Sequence, residues 1–159
     1  MKKTSVLGAM AGMALAGCTM FQTLAVARDC DRTKSDCPIP VTVTPSGDGC
    51  TIADPGTTLV KKNHKPELVW SLTGTQFKFV QKGIEFTSKS DDPTGVFDDK
   101  GPKHGGQEYR VKDKNNHKTK PGDPPKRYSY KITVVKQDGS PGCFLDPIVA
   151  NEGCDDGTC

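Results

Sequence analysis

Cysteine is the residue type in this sequence with the most evident chemistry, because a thiolate can ligate a metal, attack a substrate or form a disulfide. Seven cysteines occur in 159 residues. No two are spaced as C-x-x-C, and the histidines lie far from them along the chain, so a zinc site is not expected. Without Cys18, which ends an apolar run, six remain. An even number in an exported chain predicts three disulfides.

Cys18 bears on where the protein is located. Two lysines precede an apolar stretch from residue 6 to residue 16, a pattern typical of an export signal and too short to span a bilayer. Residues 15–18 read Leu-Ala-Gly-Cys and resemble the bacterial lipobox, which implies cleavage before Cys18 and lipidation of that cysteine. Thr19 in the next position, unlike Asp, gives no signal for retention in the inner membrane, which favours an outer-membrane lipoprotein. The alternative is ordinary signal cleavage after Ala27, which predicts a soluble periplasmic or secreted protein.

Either leader leaves enough chain for one domain with a hydrophobic core, but not for two. The export signal with its lipobox covers residues 1–18, or the signal covers residues 1–27 in the alternative. An N-terminal segment with a cysteine clasp is expected over residues 19–38, a β-sandwich over 39–151 and a cysteine-containing tail over 152–159.

Proximity along the chain favours one pairing among the fifteen that six cysteines allow. Two pairs of near neighbours are expected to form local clasps close to the termini, and the remaining pair then ties an early strand to a late one. The predicted bridges are Cys30–Cys37, Cys154–Cys159 and Cys50–Cys143.

Short segments of alternating apolar residues, separated by glycine and proline, predict an all-β fold. In "ELVWSLTG", Leu68, Trp70 and Leu72 share one face, and "RYSYKITVVK" is the strongest strand pattern. Eight or nine such strands need a second sheet to cover their apolar faces. We therefore predict a single immunoglobulin-like or cupredoxin-like β-sandwich, stapled by disulfides, with a small β-barrel as the alternative.

Three interruptions of this pattern also carry predictions. Lys82-Gly83 falls inside an otherwise continuous strand pattern and predicts a bulge or tight bend. The polar segments 88–107 and 112–126 are predicted to be long loops.

No set of side chains in the sequence indicates catalysis. A G-x-S-x-G elbow is missing, and the histidines at positions 64, 104 and 117 lie in polar, lysine-rich stretches typical of solvated loops. The aspartates between residues 91 and 99 bracket a turn but lack the EF-hand spacing that calcium requires. The sequence therefore predicts a protein that is not an enzyme and has no cofactor or metal.

Lysines supply the remaining candidate site. The formal net charge is +3, too small to suggest nucleic acid as a partner, yet lysines cluster in two polar segments. If both segments lie at one end of the domain, they form a candidate site for envelope anions such as lipopolysaccharide phosphates; the alternative is that they only keep loops soluble. The candidate residues are Lys61, Lys62, Lys65, Lys112, Lys114, Lys118 and Lys120.

Two resemblances extend these predictions. The pattern Y-x-Y-x-I-x-V from Tyr128, followed by Cys143 and Asp146-Pro147-Ile148, is similar to small exported bacterial β-sandwich proteins of uncharacterised function, which implies a fold and no activity. Pro93-Thr94-Gly95 and Gly105-Gly106 resemble loop motifs of chagasin-type cysteine-protease inhibitors, although the third motif of that family, Arg-Pro-Trp, is missing.

The sequence thus favours a non-catalytic envelope module, lipidated or secreted, with a binding or structural role and an unknown envelope or extracellular partner. Protease inhibition and the binding of envelope anions through the lysine-rich loops are the alternatives.

Overall fold

The computed structural model describes residues 28–87 and 95–154 of the chain, which form an all-β domain. This confirms the predicted disulfide-stapled, all-β fold class. A 3-10 turn at His104–Gly106 precedes β8. The strands are β1 (Arg28–Asp29), β2 (Asp36–Ser46), β3 (Gly49–Ile52), β4 (Thr58–Val60), β5 (Glu67–Thr73), β6 (Phe77–Phe86), β7 (Phe97–Lys103), β8 (Glu108–Asp113), β9 (Lys126–Lys136), β10 (Pro141–Leu145) and β11 (Ile148–Asn151).

The strands pair into two sheets. The first has the order β1-β4-β11-β9-β10, with β6 on the other edge of β9, and the second has the order β3-β2-β5-β8-β7. β9 is long enough to pair with β11 along its first part and with β10 along its last part. The two layers cover each other's apolar faces, as the alternating sequence pattern requires.

Trp70 connects the central strands of the two sheets. It is fully buried on β5, and its Nε1 donates a hydrogen bond to the hydroxyl of Tyr130 on β9 at 3.2 Å. The two rings meet edge to face, with centroids 5.3 Å apart. Leu68 is also fully buried, so the inward face predicted from "ELVWSLTG" is observed.

Lys82 and Gly83 interrupt β6, as predicted, and the register of β6 against β9 shifts there. Lys82 has a φ of 59°, a left-handed conformation that is uncommon outside glycine. The buried hydroxyl of Tyr109 on β8 accepts hydrogen bonds from the backbone of Lys82 and Ile84. It donates one to Asp99 on β7 at 2.8 Å. One phenol therefore holds two irregular strands together.

Two of the predicted disulfides lie in the described residues. Cys50–Cys143 joins β3, at the edge of the second sheet, to β10 of the first sheet. Cys30–Cys37 joins the chain just after β1 to β2. The long bridge thus closes one side of the sandwich, while the short one clasps the N-terminal strands.

Some elements differ from the predictions. Segment 88–107 was predicted as a loop, which is wrong for Phe97–Lys103, because that stretch pairs with β8 as an edge strand. An edge strand of this kind is held by backbone hydrogen bonds and needs little apolar alternation. β2 pairs with β5 in parallel and begins at Asp36, slightly before the predicted start of the sandwich at residue 39.

Candidate binding site

Three segments that are far apart in the sequence meet at one end of the sandwich. Residues 61–66 join β4 to β5, residues 114–125 join β8 to β9, and residues 152–154 follow β11. Antiparallel pairing of β5 with β8, and of β11 with β9, places these connections at the same end. We define residues 61–66, 112–126 and 152–154 as the basic end. Both lysine-rich segments predicted from the sequence belong to it.

Asn115 joins the three segments. It is fully buried, and its Nδ2 donates hydrogen bonds to the carbonyl oxygens of Lys61 and His64, each at 3.0 Å. Its Oδ1 accepts a hydrogen bond from the N–H of Gly153 at 2.9 Å. Asn115 has a φ of 42°, in the left-handed region that asparagine tolerates better than most residues. Nothing in the sequence marks this asparagine, because a polar residue after a strand looks like any loop residue.

Backbone hydrogen bonds complete the contact between the segments. The N–H of Asn63 donates to the carbonyl of Gly153 at 2.9 Å, that of Cys154 to the carbonyl of His117 at 2.9 Å, and that of Thr119 to the carbonyl of Cys154 at 3.0 Å. Gly153 has a φ of 75°, and a Cβ there would lie 2.6 Å from the His117 carbonyl oxygen. The close approach of the segments therefore requires glycine at this position.

Positive charge is concentrated at the basic end. Its residues include eight lysines and three carboxylates, so eight minus three gives +5 when all are ionised. Because the whole chain carries +3, the remainder carries −2. The small total charge thus conceals an asymmetric distribution, with a positive field around this end.

A hollow of about 180 Å³ lies between the segments, and Lys62 and Lys120 line it from different loops. Glu152 and Asp123 also line it, but both carboxylates hold the loop backbone. Glu152 accepts a hydrogen bond from the N–H of Lys62 at 2.9 Å, and Asp123 accepts one from the N–H of Lys120 at 2.7 Å. The acidic residues thereby shape the hollow that the two lysines line.

The other predicted lysines lie on the same segments of the basic end. Lys61 forms a 3.1 Å ion pair with the last residue of β1. Lys112 donates from Nζ to the carbonyl oxygen of Lys65 at 2.6 Å, which ties β8 to the first loop. Lys114 and Lys118 are exposed. The partly exposed ion pair of Lys61 contributes little stability.

Burial changes the ionisation of two groups at this end. Burial raises the pKa of the Asp113 carboxyl to about 7, and hydrogen bonds from Asn115 and Asn151 offset only part of that effect. The pKa of His64 is lowered, first by burial and then by the positive charge of Lys112. At neutral pH His64 is therefore largely uncharged.

A second polar surface covers the outer face of the second sheet. Arg110 contacts Glu67 and Glu108 at 3.0 Å each, and His104 Nδ1 lies 3.1 Å from the same Glu108 oxygen. Lys103 joins Glu67, His104 and Arg110 in lining a hollow of about 430 Å³. Because the His104 side chain is 67% exposed, this is a solvated ion network, unlike the water-excluding sites in which acid–base groups are strongest.

Other residues considered from the sequence have structural partners. Asp98 pairs with Lys100 at 2.7 Å, and Asp99 receives the hydrogen bond from Tyr109. Gly106 is buried, and a Cβ there would lie 2.7 Å from the carbonyl oxygen of Phe79, so this glycine serves close packing. Within residues 28–87 and 95–154, no group of three or more His, Cys, Asp or Glu side chains is placed to hold a metal ion.

Several predictions fall on residues that the structure does not describe. Cys154 is disulfide-bonded, whereas Cys159, its predicted partner, lies outside the described residues. In the part of the chain that is described, no helix is long and apolar enough to cross a membrane. The other predicted features outside the described ranges are Cys18 with the leader, Asp91, Asp92 and Pro93-Thr94.

No protein-family model matches this chain, and no curated protein matches it either. Its class is therefore defined by structure: a disulfide-stapled all-β domain with one basic end. Disulfides persist in oxidising compartments, which indicates an exported protein.

Proposed function

We propose that this protein is an exported, non-catalytic envelope module whose basic end binds anionic groups, with the phosphates of envelope lipids as the chemical class of ligand. The observation that carries the proposal is the joining of two lysine-rich loops by Asn115. The loops begin more than fifty residues apart, at Lys61 and Lys114, yet Asn115 hydrogen-bonds both to the first loop and to Gly153. This connection holds the lysines of both loops at one end of the domain.

The chemistry of the hollow supports phosphate as the ligand. Lysine binds phosphate as a compact point charge with three donors, and Lys62 and Lys120 approach the hollow from different loops. Each lysine close to an anionic lipid surface contributes about 1 kcal/mol. The +5 charge of the basic end therefore favours a negatively charged surface over an isolated small anion.

The environments of the histidines support a non-catalytic role. His104 lies in an open ion network, and His64 is desolvated beside Lys112, which disfavours its charged form. A general base works best with its pKa near the operating pH and within reach of a substrate proton. The exposure of His104 points away from that role.

Vesicle binding tests the proposal. Cosedimentation with phosphatidylglycerol vesicles, and separately with phosphatidylcholine vesicles, should show binding to the anionic ones only, weakening steeply as salt rises. Replacing both Lys62 and Lys120 with Ala should weaken binding by roughly tenfold to thirtyfold. Adding purified lipopolysaccharide as a competitor measures whether its phosphates occupy the same site.

Lys78→Ala with Lys136→Ala is the matched control. It removes the same charge from the opposite end, where β6 begins and β9 ends. Equal loss of vesicle binding in the two double variants would show that binding depends only on the net charge of the protein, and it would overturn the proposal. So would the absence of binding to anionic vesicles at low salt.

A further inference from the structure

A buried hydrogen bond joins the two sheets beneath the basic end. Asp113 ends β8 in the second sheet, Asn151 ends β11 in the first, and both are fully buried. Asn151 Nδ2 donates to Asp113 Oδ1 at 3.1 Å, and the same oxygen accepts the backbone N–H of Asn115 at 2.8 Å. The carboxyl group therefore contacts the asparagine that joins the loops.

Each of these two side chains also has an oxygen that is less well satisfied. Asp113 Oδ2 and Asn151 Oδ1 are buried, and neither has a hydrogen-bond partner among the described residues. Both are acceptors while Asp113 is ionised, and a buried acceptor without a donor is costly. A proton on Asp113 Oδ2 supplies a donor within a pair of side chains that already share one hydrogen bond.

We propose that Asp113 is a proton-controlled latch for the basic end: the protonated carboxyl joins Asn151 and Asn115 and keeps the loops together, and the ionised carboxylate loosens them. The consequence for anion binding rests on the function proposed above. The latch itself is a property of Asp113, Asn115 and Asn151, and it can be measured without any ligand.

Several other charged or titratable groups lie on the elements next to Asp113. Lys112 precedes Asp113 on β8 and favours the carboxylate. Lys126 of β9 is the register partner of Asn151. The loops contribute Lys61 and His64, whose carbonyl oxygens bind Asn115, and the remaining groups are His117 and Glu152. Protonation of His64 at acidic pH opposes the latch, because its burial favours the neutral ring.

The direction of the effect follows from linkage. The pKa of Asp113 is raised by burial to about 7 in the folded protein, whereas an open or unfolded carboxyl titrates at its ordinary value of about 4. The closed state therefore binds the proton more tightly. The latch is tightest below about pH 4, loosens by up to about tenfold per pH unit as pH rises towards 7, and levels off above 7.

Amide hydrogen exchange tests this without ligand. Protection factors of the Gly153 and Asn63 amides, which bind Asn115 Oδ1 and the Gly153 carbonyl, are measured from pH 4.5 to 8.5 in the wild type and in Asp113→Asn. The wild-type factors should fall by up to about tenfold per pH unit up to about pH 7. The protection factors in Asp113→Asn should stay nearly constant with pH. The introduced amide is a hydrogen-bond donor at every pH, whereas the carboxyl is a donor only while it is protonated.

Asp138→Asn is the matched control. Asp138 lies in the turn before β10 and binds the backbone and side chain of Ser140, so the pH dependence at the basic end should remain that of the wild type. Parallel pH profiles in the wild type and Asp113→Asn would overturn the latch.

A second measurement decides the matter if Asp113→Asn does not fold. The carboxyl carbon shift of Asp113 in wild-type protein should titrate with a midpoint near 7, whereas a carboxyl fully ionised by pH 5 would overturn the proposal.

Failure of the proposed function is recognised separately, because it appears in the lysine variants at constant pH. Finally, vesicle binding by the wild type should change between pH 5 and 7.5 more than binding by Asp113→Asn, and an identical change in both would remove the link to the ligand.

Discussion

Trp70 lies where the central strands of the two sheets touch, so its replacement tests the core at a single residue. Trp70→Ala removes a fully buried indole and its hydrogen bond to Tyr130. We expect the free energy of unfolding to fall by about 3–5 kcal/mol, as for other large-to-small changes at buried aromatic positions. Urea denaturation followed by circular dichroism measures it.

Phe144 provides the control for this prediction. Its side chain is 63% exposed, and the Nζ of Lys131 lies 4.3 Å from the ring centroid. Phe144→Ala should therefore change the free energy of unfolding by no more than about 1 kcal/mol. Equal losses in the two variants would contradict the assignment of Trp70 to the core.

At this scale, burial was predictable but partners were not. Leu68 and Trp70 were placed inward by alternation, because successive strand residues point to opposite faces. Asp113 continues the inward alternation of Tyr109 and Val111 on β8, whereas Asn115 lies in the polar segment that follows, yet both are fully buried. The burial of Asn115 depends on which chain segments meet at that end of the domain, and a period along one segment carries no information about the others.

At the scale of the strands, the two disulfides differ in the length of chain that each closes. Cys50–Cys143 closes a sequence separation of 93 residues, and Cys30–Cys37 closes a separation of 7. In the chain-entropy description, the long bridge stabilises the fold by about 4–5 kcal/mol and the short one by about 2 kcal/mol. Replacing both cysteines of each bridge with Ala should therefore lower stability by about 2 kcal/mol more for the long bridge, measured by chemical denaturation of the two double variants.

The two double variants serve as controls for each other, since each removes two buried or half-buried sulfur atoms. Greater loss from Cys30→Ala with Cys37→Ala would show that local packing around the clasp outweighs loop closure. It would contradict the assignment of the long bridge as the main covalent support of the sandwich.

Most strands were predictable, and the exceptions share a cause. Inward-facing residues of β8 and β9 alternate clearly, whereas β7 reads "FDDKGPK" and is mostly polar. An edge strand exposes one side to water and is held by its neighbour's backbone, so its side chains carry little signal. The parallel pairing of β2 with β5 was equally hidden, because strand order depends on contacts between distant segments.

At the scale of the whole molecule, the uneven charge gives the domain a preferred orientation at an anionic surface. The basic end carries +5 and the remainder of the chain −2, so an anionic surface attracts the basic end more strongly than the rest of the molecule. A lipid at Cys18 would add a tether to this orientation. Lysines attract the surface only within about a Debye length, whereas an acyl pair is sufficient for stable attachment.

Replacing Cys18 with Ser tests the tether. If the lipobox at residues 15–18 is used, Cys18→Ser should abolish lipid labelling, block processing before residue 18 and move the protein out of the membrane fraction. Intact mass of the native protein provides the direct measurement, because the anchored form retains residues 19–27 together with the lipid. A native protein that begins at Arg28, with the same mass and location in wild type and variant, would contradict lipidation. All strands and both disulfides described above lie C-terminal to the two cleavage points, so attachment and folding are tested independently.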